Sequence, residues 1–348
     1  MFLSVQKLLR KNILISDSKL TDKDKWQKDI PYDTREFAIR RLYKSYKTSF
    51  TLLKTQNIKN FNINFKKKKD IIQSFEVNKN AIKITNKGDF KIFKTRLPDN
   101  IRVRKRDREK IKKLQITKPY TNTIIKKEYD KWYICLSVPQ TKNKKTFEEP
   151  ILSSVFLDPG ERRFQNFYSP DGICGYLGNG FNKNKIKNIR DKYEKNQQIL
   201  GNKFINIKKK HLRKRCGKLI TKVKNIVLDM HNQAANFLTT TFKSIFIPIF
   251  ETKKIVNKTT RNIDKKTVKG LLTLSHYKFR EKLKNMCKVR GINFKIITEE
   301  YTSKVCGKCG NYNKDLGGDK VYNCNKCKII IDRDLNAARN ICIKSIQI

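Results

Sequence analysis

Acidic residues are scarce in this 348-residue chain: 31 Asp+Glu stand against 81 Lys+Arg, a net charge of +50. A compact domain carrying that excess repels itself, so a polyanionic partner is the natural explanation, and nucleic acid is the first polyanion to consider. AT-rich coding would raise Lys, Asn and Ile and favour Lys over Arg, but it does not explain the shortage of acids. Also missing is any uninterrupted apolar run near the ~18–20 residues that cross a bilayer. Nothing resembles a lipid anchor, and the opening MFLSVQKLLRKN is too broken by charge for a secretory signal. A membrane protein and a secreted one are both disfavoured. There is no internal repeat. The nine cysteines, an odd number in an unsecreted chain, argue against a disulfide framework. Five of them (Cys135, Cys174, Cys216, Cys287, Cys342) are scattered, as small buried hydrophobes are.

What is present falls into three stretches. Residues 1–55 read as mostly helical, with Asp33 or Thr34 as cap of a helix carrying Phe37, Tyr43, Tyr46, Phe50 and Leu53, the last four at helical spacing. Residues 56–150 carry short β-like runs at Phe75–Val77, Ala81–Ile84 and Phe90–Phe93. A hairpin follows, turning near Asp130, with the alternation Trp132, Ile134, Leu136, Val138. A barrel-like, wedge- or OB-like nucleic-acid-binding domain with basic loops fits this stretch, and the Lys-rich Gln140–Pro150 fits a linker. Residues 151–348 predict an α/β domain. Its strands are Ile151–Leu157, Phe164–Tyr168, Ile173–Tyr176, Ser244–Phe250 and Asn293–Thr298. A long amphipathic helix carries Leu212, Cys216, Leu219, Val223, Ile226, Met230, Ala234 and Phe237. A helix with Phe279, Leu283 and Met286 follows, and a last helix begins near Asp332.

The four remaining cysteines form two pairs, Cys306-x2-Cys309 and Cys324-x2-Cys327, with fourteen residues between them. Each pair can offer two thiolates from a tight knuckle. Two knuckles complete a tetrahedral four-thiolate zinc site with no open position, which is therefore structural. A redox CxxC is the rival, and two pairs at this spacing disfavour it. Gly307 and Gly310 suit the first knuckle, and Gly317-Gly318 suits a hairpin. The ribbon, residues 301–331, is inserted between the strand Asn293–Thr298 and the last helix.

In so basic a chain, acids at strand ends need a reason. Asp158 follows Val155-Phe156-Leu157, Glu251 follows Ile247-Pro248-Ile249-Phe250, and Asp332 and Asp334 follow Ile329-Ile330-Ile331. Two-metal phosphodiester hydrolysis supplies one, because hard Mg2+ ions about 3.5–4 Å apart need carboxylate ligands. The plainer alternative is a set of loop acids and helix caps, and Asp332 suits a cap with Asp334 in the first turn.

The segments LDPGERRFQNFYSPDG, IPIFETKK, LSHYKFREKL, YTSKVCGKCG, CNKC and DRDLNAARNI resemble, in order, those of the OrfB/TnpB family of transposon-encoded nucleases and its eukaryotic and viral Fanzor relatives. The stretch DIPYDTREFAIRRLYKSYKTSF resembles the family's helical region upstream of the β domain. The resemblance implies an RNase H-type, RuvC-like nuclease fold with an inserted four-cysteine ribbon. It implies Mg2+-dependent cutting of DNA directed by a guide RNA from the element itself. By position, Asp158 matches the first catalytic aspartate, Glu251 the glutamate and Asp334 the last aspartate, with Asp332 as a substitute. Arg162 either binds a phosphate or pairs with a carboxylate. Pro248, odd inside a central strand, matches the family and reads as a bend or edge feature.

Two departures stand out. The family opens with a β segment of the barrel, whereas this chain starts almost directly on the helical region, as a truncated one would. After DPG the family commonly has Arg-Thr-Phe; here the run is Arg162-Arg163-Phe164. Guided recognition leaves sequence reading to base pairing and asks the protein for backbone contacts. Arg102–Lys113, Lys208–Lys224 and Arg35–Lys47 are the candidate surfaces, with a solvated helix face or basic loop as the plain reading of each. Tyr43, Tyr46 and Trp132 can stack on bases, but core packing is the stronger reading of the three. A DNA- or RNA-binding protein that has lost cutting is the alternative. A strand-transferring transposase is disfavoured because His211, His231 and His276 include no HUH pair. The expected setting is a nucleus or virus factory, or bacterial cytoplasm.

Overall fold

The computed structural model describes residues 21–346 apart from 65, 68–69, 130, 139–147, 203–208, 259–260, 298–302, 315 and 318. Most of the expected linker, the turn residue Asp130, Thr298 and Gly318 therefore lie outside the described residues. The chain divides into two compact units, Met1–Asn143 and Lys144–Ile348.

In the first unit a helix α1 (Tyr32–Lys54) starts behind Pro31, earlier than an Asp33 or Thr34 cap would place it. Only Glu36, Phe37 and Ile39 of its described residues are buried. Tyr46 and Phe50 stay exposed and pack on each other and on Phe61. Strands β1 (Ile72–Val77), β4 (Thr123–Glu128) and β5 (Lys131–Cys135) form one antiparallel sheet, ordered β1-β4-β5. Strands β2 (Ile82–Ile84) and β3 (Phe90–Ile92) form a second. The sheets share a core of Val77, Ile82, Phe90, Ile92 and Ile125, but pairing among the described residues does not join them into a closed barrel. The expected β5 alternation is only half realised. Ile134 and Leu136 pack on this core, while Trp132 is 59 % exposed and Val138 is exposed too. Trp132 stands at the start of β5 and Val138 lies past its end, so both share the packed face but stand outside the core cluster. The basic stretch after β3 is not a loop: it holds a helix α2 (Lys105–Lys113) with no buried residue.

The second unit is built on five strands. β6 (Leu152–Pro159), β7 (Gln165–Tyr168) and β8 (Cys174–Leu177) run as an antiparallel meander, turned at Ser169–Gly172 by a bond from Gly172 N–H to the Ser169 carbonyl. β9 (Phe242–Pro248) and β10 (Asn293–Ile297) add in parallel on the other side, giving the order β10-β9-β6-β7-β8. Between β8 and β9 lie α3 (Lys187–Gly201) and α4 (Lys209–Thr241). Between β9 and β10 lie α5 (Lys265–Leu274) and α6 (His276–Arg290). α5 escapes the sequence pattern, being short and holding Thr267, Gly270 and Thr273.

Side-chain alternation sends Val155 and Leu157 of β6 to one face and Phe156 to the other. The first face meets Ala234 and Leu238 of α4 and Phe279, Leu283 and Cys287 of α6. The second meets Ile341 and Cys342 of the last helix, α7 (Arg333–Ile346), and there Phe156 stacks on Phe246 of β9 at 4.5 Å. Each fully buried ring of this kind contributes roughly 1.5–3 kcal/mol. The buried stripe of α4 runs Cys216, Val223, Val227, Met230, Ala234, Leu238, leaving Phe237 exposed. α4 ends where Thr239 and Thr240 turn their hydroxyls back onto the Ala235 and Asn236 carbonyls. Pro248 closes β9 opposite Ile297, beyond Phe246, where pairing with β6 stops. Its missing N–H therefore removes no bond to β6.

Candidate functional site

The cysteine pairs come together as expected. The Sγ atoms of Cys306, Cys309, Cys324 and Cys327 all lie within 4.8 Å of one another, with Cys306–Cys327 at 3.6 Å and Cys309–Cys324 at 3.5 Å. A metal–sulfur bond of about 2.3 Å in a tetrahedron puts sulfurs about 3.8 Å apart, and a disulfide needs about 2.05 Å. The separations fit four thiolates around one ion and exclude bridging. The two knuckles are built alike. Gly310 N–H bonds back to the Cys306 carbonyl and Lys328 N–H to the Cys324 carbonyl, and both residues take positive φ, +72° and +57°. Gly fills that backbone region without strain and Lys does not. An isolated Val305–Tyr312 bridge brackets the first knuckle. β11 (Val321–Asn323) and β12 (Ile330–Asp332) bracket the second, so the ribbon's hairpin sits there and not at Gly317. The backbone N–H groups of Cys327 and Lys326 draw the Cys324 thiol down to about 6. Tyr322 is buried beneath the cluster, and burial raises its phenol to about 12.

The acids stand at one edge of the sheet. Asp158 lies within β6, one residue before its end, opposite Asn166 of β7. Glu251 lies three residues past the end of β9, the parallel neighbour of β6. Carboxyl ends of parallel strands are where α/β folds place ligands. By alternation Asp158 shares its face with Phe156, the face that α7 covers. Asp334 is in the first turn of α7. The three carboxylates are nevertheless not gathered: among the described residues only the cysteines come close enough to share an ion. Glu251 is exposed and paired with Lys254. Asn166, 1 % exposed, donates to the Asp158 carbonyl at 3.2 Å, and its buried side-chain oxygen has no hydrogen-bond partner. An orphaned oxygen on the residue paired with Asp158 across the strands is the kind of neutral donor a hard cation takes.

Asp332 is committed elsewhere. Its Oδ1 accepts from the N–H groups of Asp334 at 3.0 Å and Leu335 at 3.2 Å, which makes it the cap of α7. Arg163 Nη1 donates to both its oxygens at 2.7 Å and stands 3.8 Å from Asp334. Burial opposes ionisation of Asp332, but Arg163 and the two N–H groups outweigh it and hold its pKa below the usual carboxylate value. The carboxylate pairing expected as one role of Arg162 thus belongs to Arg163, whose guanidinium also lies 4.2 Å from the Tyr176 ring. The side chain of Arg162 is exposed. Sequence reading could not separate two adjacent arginines in a turn.

Two histidines were also missed. Phe164 is stacked between the rings of His231 and His276, 5.1 Å from each. His231 Nε2 bonds the Leu274 carbonyl at 2.9 Å, and His276 packs on Phe250, the residue before Glu251. Burial lowers both imidazoles to about 4. The signal was available: His276 falls inside LSHYKFREKL.

Among the candidate surfaces, Arg213, Arg215, Lys218 and Lys222 of α4 are exposed, as are Lys110, Lys112 and Lys113 of α2. Lys208 lies outside the described residues. In α1, Arg40 pairs with Glu36 and Arg41 bonds Ser74, which leaves Lys44 and Lys47 exposed. Tyr46 and Trp132 are not core residues. Lys127 sits 5.5 Å from the Trp132 ring centre. Among the described residues no helix is long and apolar enough to cross a membrane.

Residues 276–341 match the family model described as Cas12f1-like, TNB domain. Over 332 residues the chain is 30% identical to "Putative transposase A625R" of Paramecium bursaria Chlorella virus 1, covering 94% of this chain and 72% of that protein. It is 33% identical over 236 residues to TnpB-like protein L79 of Acanthamoeba polyphaga mimivirus, covering 66% of this chain but only 45% of that one. A Cas12f1–sgRNA–target DNA complex matches with 15% identity over 98% of this chain and 90% of that chain, at a TM-score of 0.38, too low to add weight.

Proposed function

The chain belongs to the OrfB/TnpB family, and from that footing we propose that it is an RNA-guided, Mg2+-dependent DNA endonuclease with an RNase H-type, RuvC-like core. One observation supports the reading best: Asp158 and Glu251 stand at the carboxyl ends of the parallel neighbours β6 and β9, with Asp158 on the face that α7 covers, and Arg163, between β6 and β7, lies 3.8 Å from Asp334 of α7. In a chain of net charge +50, acids placed there suit cations better than they suit DNA.

Asp158, Glu251 and Asp334 would hold the catalytic ions, and the orphaned oxygen of Asn166 adds a neutral donor beside Asp158. Bound Mg2+ would polarise the scissile phosphate and acidify the attacking water. The chain's own residues do the rest. Arg163 fixes the start of α7 by gripping Asp332, which leaves Asp334 as the ligand and Asp332 as its support. The ribbon's four thiolates would hold one structural zinc. The exposed lysines and arginines of α1, α2 and α4 would carry guide RNA and DNA by their phosphates.

The protein purified from cells that carry its own element should bring down RNA from that locus, read by sequencing; random host RNA alone would count heavily against guided cutting. With guide and target supplied, Mg2+-dependent cleavage should fall by about a thousandfold or more in Asp158→Ala, a loss of roughly 4 kcal/mol of transition-state stabilisation. Residual cutting in that variant would mean that the active site is elsewhere. RNA and DNA binding without cleavage in the unaltered protein would favour a binding protein that has lost catalysis.

A further inference from the structure

Three polar side chains in the first two turns of α7 reach the ribbon. Arg333 donates to the Gly317 carbonyl at 2.7 Å. Asn336, 1 % exposed, donates from Nδ2 to the Val305 carbonyl at 2.7 Å and accepts at Oδ1 from Gly307 N–H at 2.9 Å. Asn340, one turn further and also buried, donates to the same Val305 carbonyl at 2.6 Å. Val305 and Gly307 flank Cys306, the first thiolate of the knuckle. The fit leaves no slack: a Cβ on Gly307 would stand 2.9 Å from Asn336 Oδ1 and 3.1 Å from Asn340 Oδ1.

Residues at i and i+4 share one helix face, so Asn336 and Asn340 act as a pair on a single carbonyl. A buried amide left without partners is costly. The clamp therefore resists any shift of the knuckle along α7. Two residues upstream of Asn336 is Asp334, on the same rigid turn.

We propose that Asn336 and Asn340 are positioning residues that transmit the order of the metal-loaded knuckle to Asp334, so that the ribbon serves as a jig for the sheet-edge carboxylate site. The clamp itself is read from hydrogen bonds. Its bearing on catalysis rests on Asp334 being a catalytic ligand, as proposed above.

The test is hydrogen exchange on the full chain, zinc-loaded and chelator-stripped. In the unaltered protein, stripping should speed exchange at Asp334 and Leu335 about tenfold. In an Asn336→Ala/Asn340→Ala variant that still carries one zinc per chain, those amides should already exchange at the stripped rate, and stripping should add nothing. Alanine is the better helix former, so loosening cannot come from weaker helix propensity. Asn340→Ala alone, which leaves Asn336 on the Val305 carbonyl, covers the case in which the double variant does not fold; it should show the same loss in part. Exchange at Asp334 that ignores zinc in the unaltered protein, or that still follows zinc in the variants, would overturn the proposal. A second measurement reads catalysis: Asn340→Ala should raise the Mg2+ needed for half-maximal cleavage several-fold with DNA binding unchanged. If exchange behaves as expected but the unaltered protein never cleaves, the clamp stands and the nuclease reading falls.

Discussion

The two units place most of their aromatic rings differently. In the first, Tyr46, Phe50 and Trp132 are exposed on a helix and at the start of a strand. In the second, Phe156, Phe164, Phe242 and Phe279 are buried, and both faces of the sheet are covered. The difference teaches where rigidity is needed. A surface that follows a nucleic-acid backbone can tolerate soft packing, whereas carboxylates that must meet at an ion need a frame that does not give.

Substitutions can break this contrast. Phe164→Ala removes the ring between two imidazoles and should destabilise the second unit by about 3–5 kcal/mol, measured by denaturant unfolding. Trp132→Ala should cost about 0.5 kcal/mol or less; equal losses would show that the units are not built differently. Acid sharpens the contrast next. The unfolded chain protonates His231 and His276 near pH 6.5, and the folded chain resists until about 4. Their stabilising effect is therefore full above 6.5 and lost as pH falls toward 4, by up to about 1.4 kcal/mol per pH unit for each. Unfolding of the second unit should show that slope, and His231→Gln should flatten it. Cys309→Ser should lose the ribbon's metal and slow cleavage about tenfold or more, equivalent to roughly 1.4 kcal/mol; cutting at the unaltered rate would separate the ribbon from the site. The smallest effect belongs to the first unit. Lys110→Ala, Lys112→Ala and Lys113→Ala together should weaken DNA or RNA binding alike for all sequences and lower the salt slope by up to about 0.9 per lost phosphate contact. An unchanged slope would remove α2 from the binding surface.

Much of the second unit was legible because its patterns are local. The meander follows from short apolar runs and the turn at Ser169–Gly172, and the cysteine cluster from spacing alone. What was not legible depends on partners far along the chain. Nothing near Trp132 says that the core under Ile134 stops short of the start of β5, so a ring that looks like core is left in solvent. Asp332 as cap and Asp334 in the first turn was the local expectation, but the residue that grips Asp332, Arg163, is 169 residues away and was not foreseen. Asn336 and Asn340 were quoted within a motif without a role, since their partner Val305 belongs to the ribbon.

The stack of His231, Phe164 and His276 has a spectroscopic consequence. A phenyl ring with an aromatic ring 5.1 Å from its centre on each side lies in two shielding cones at once. Its ring protons should resonate well upfield of ordinary phenylalanine. Because His276 also touches Phe250, beside Glu251, that one resonance offers an intrinsic reporter on the candidate site that needs no label near the carboxylates.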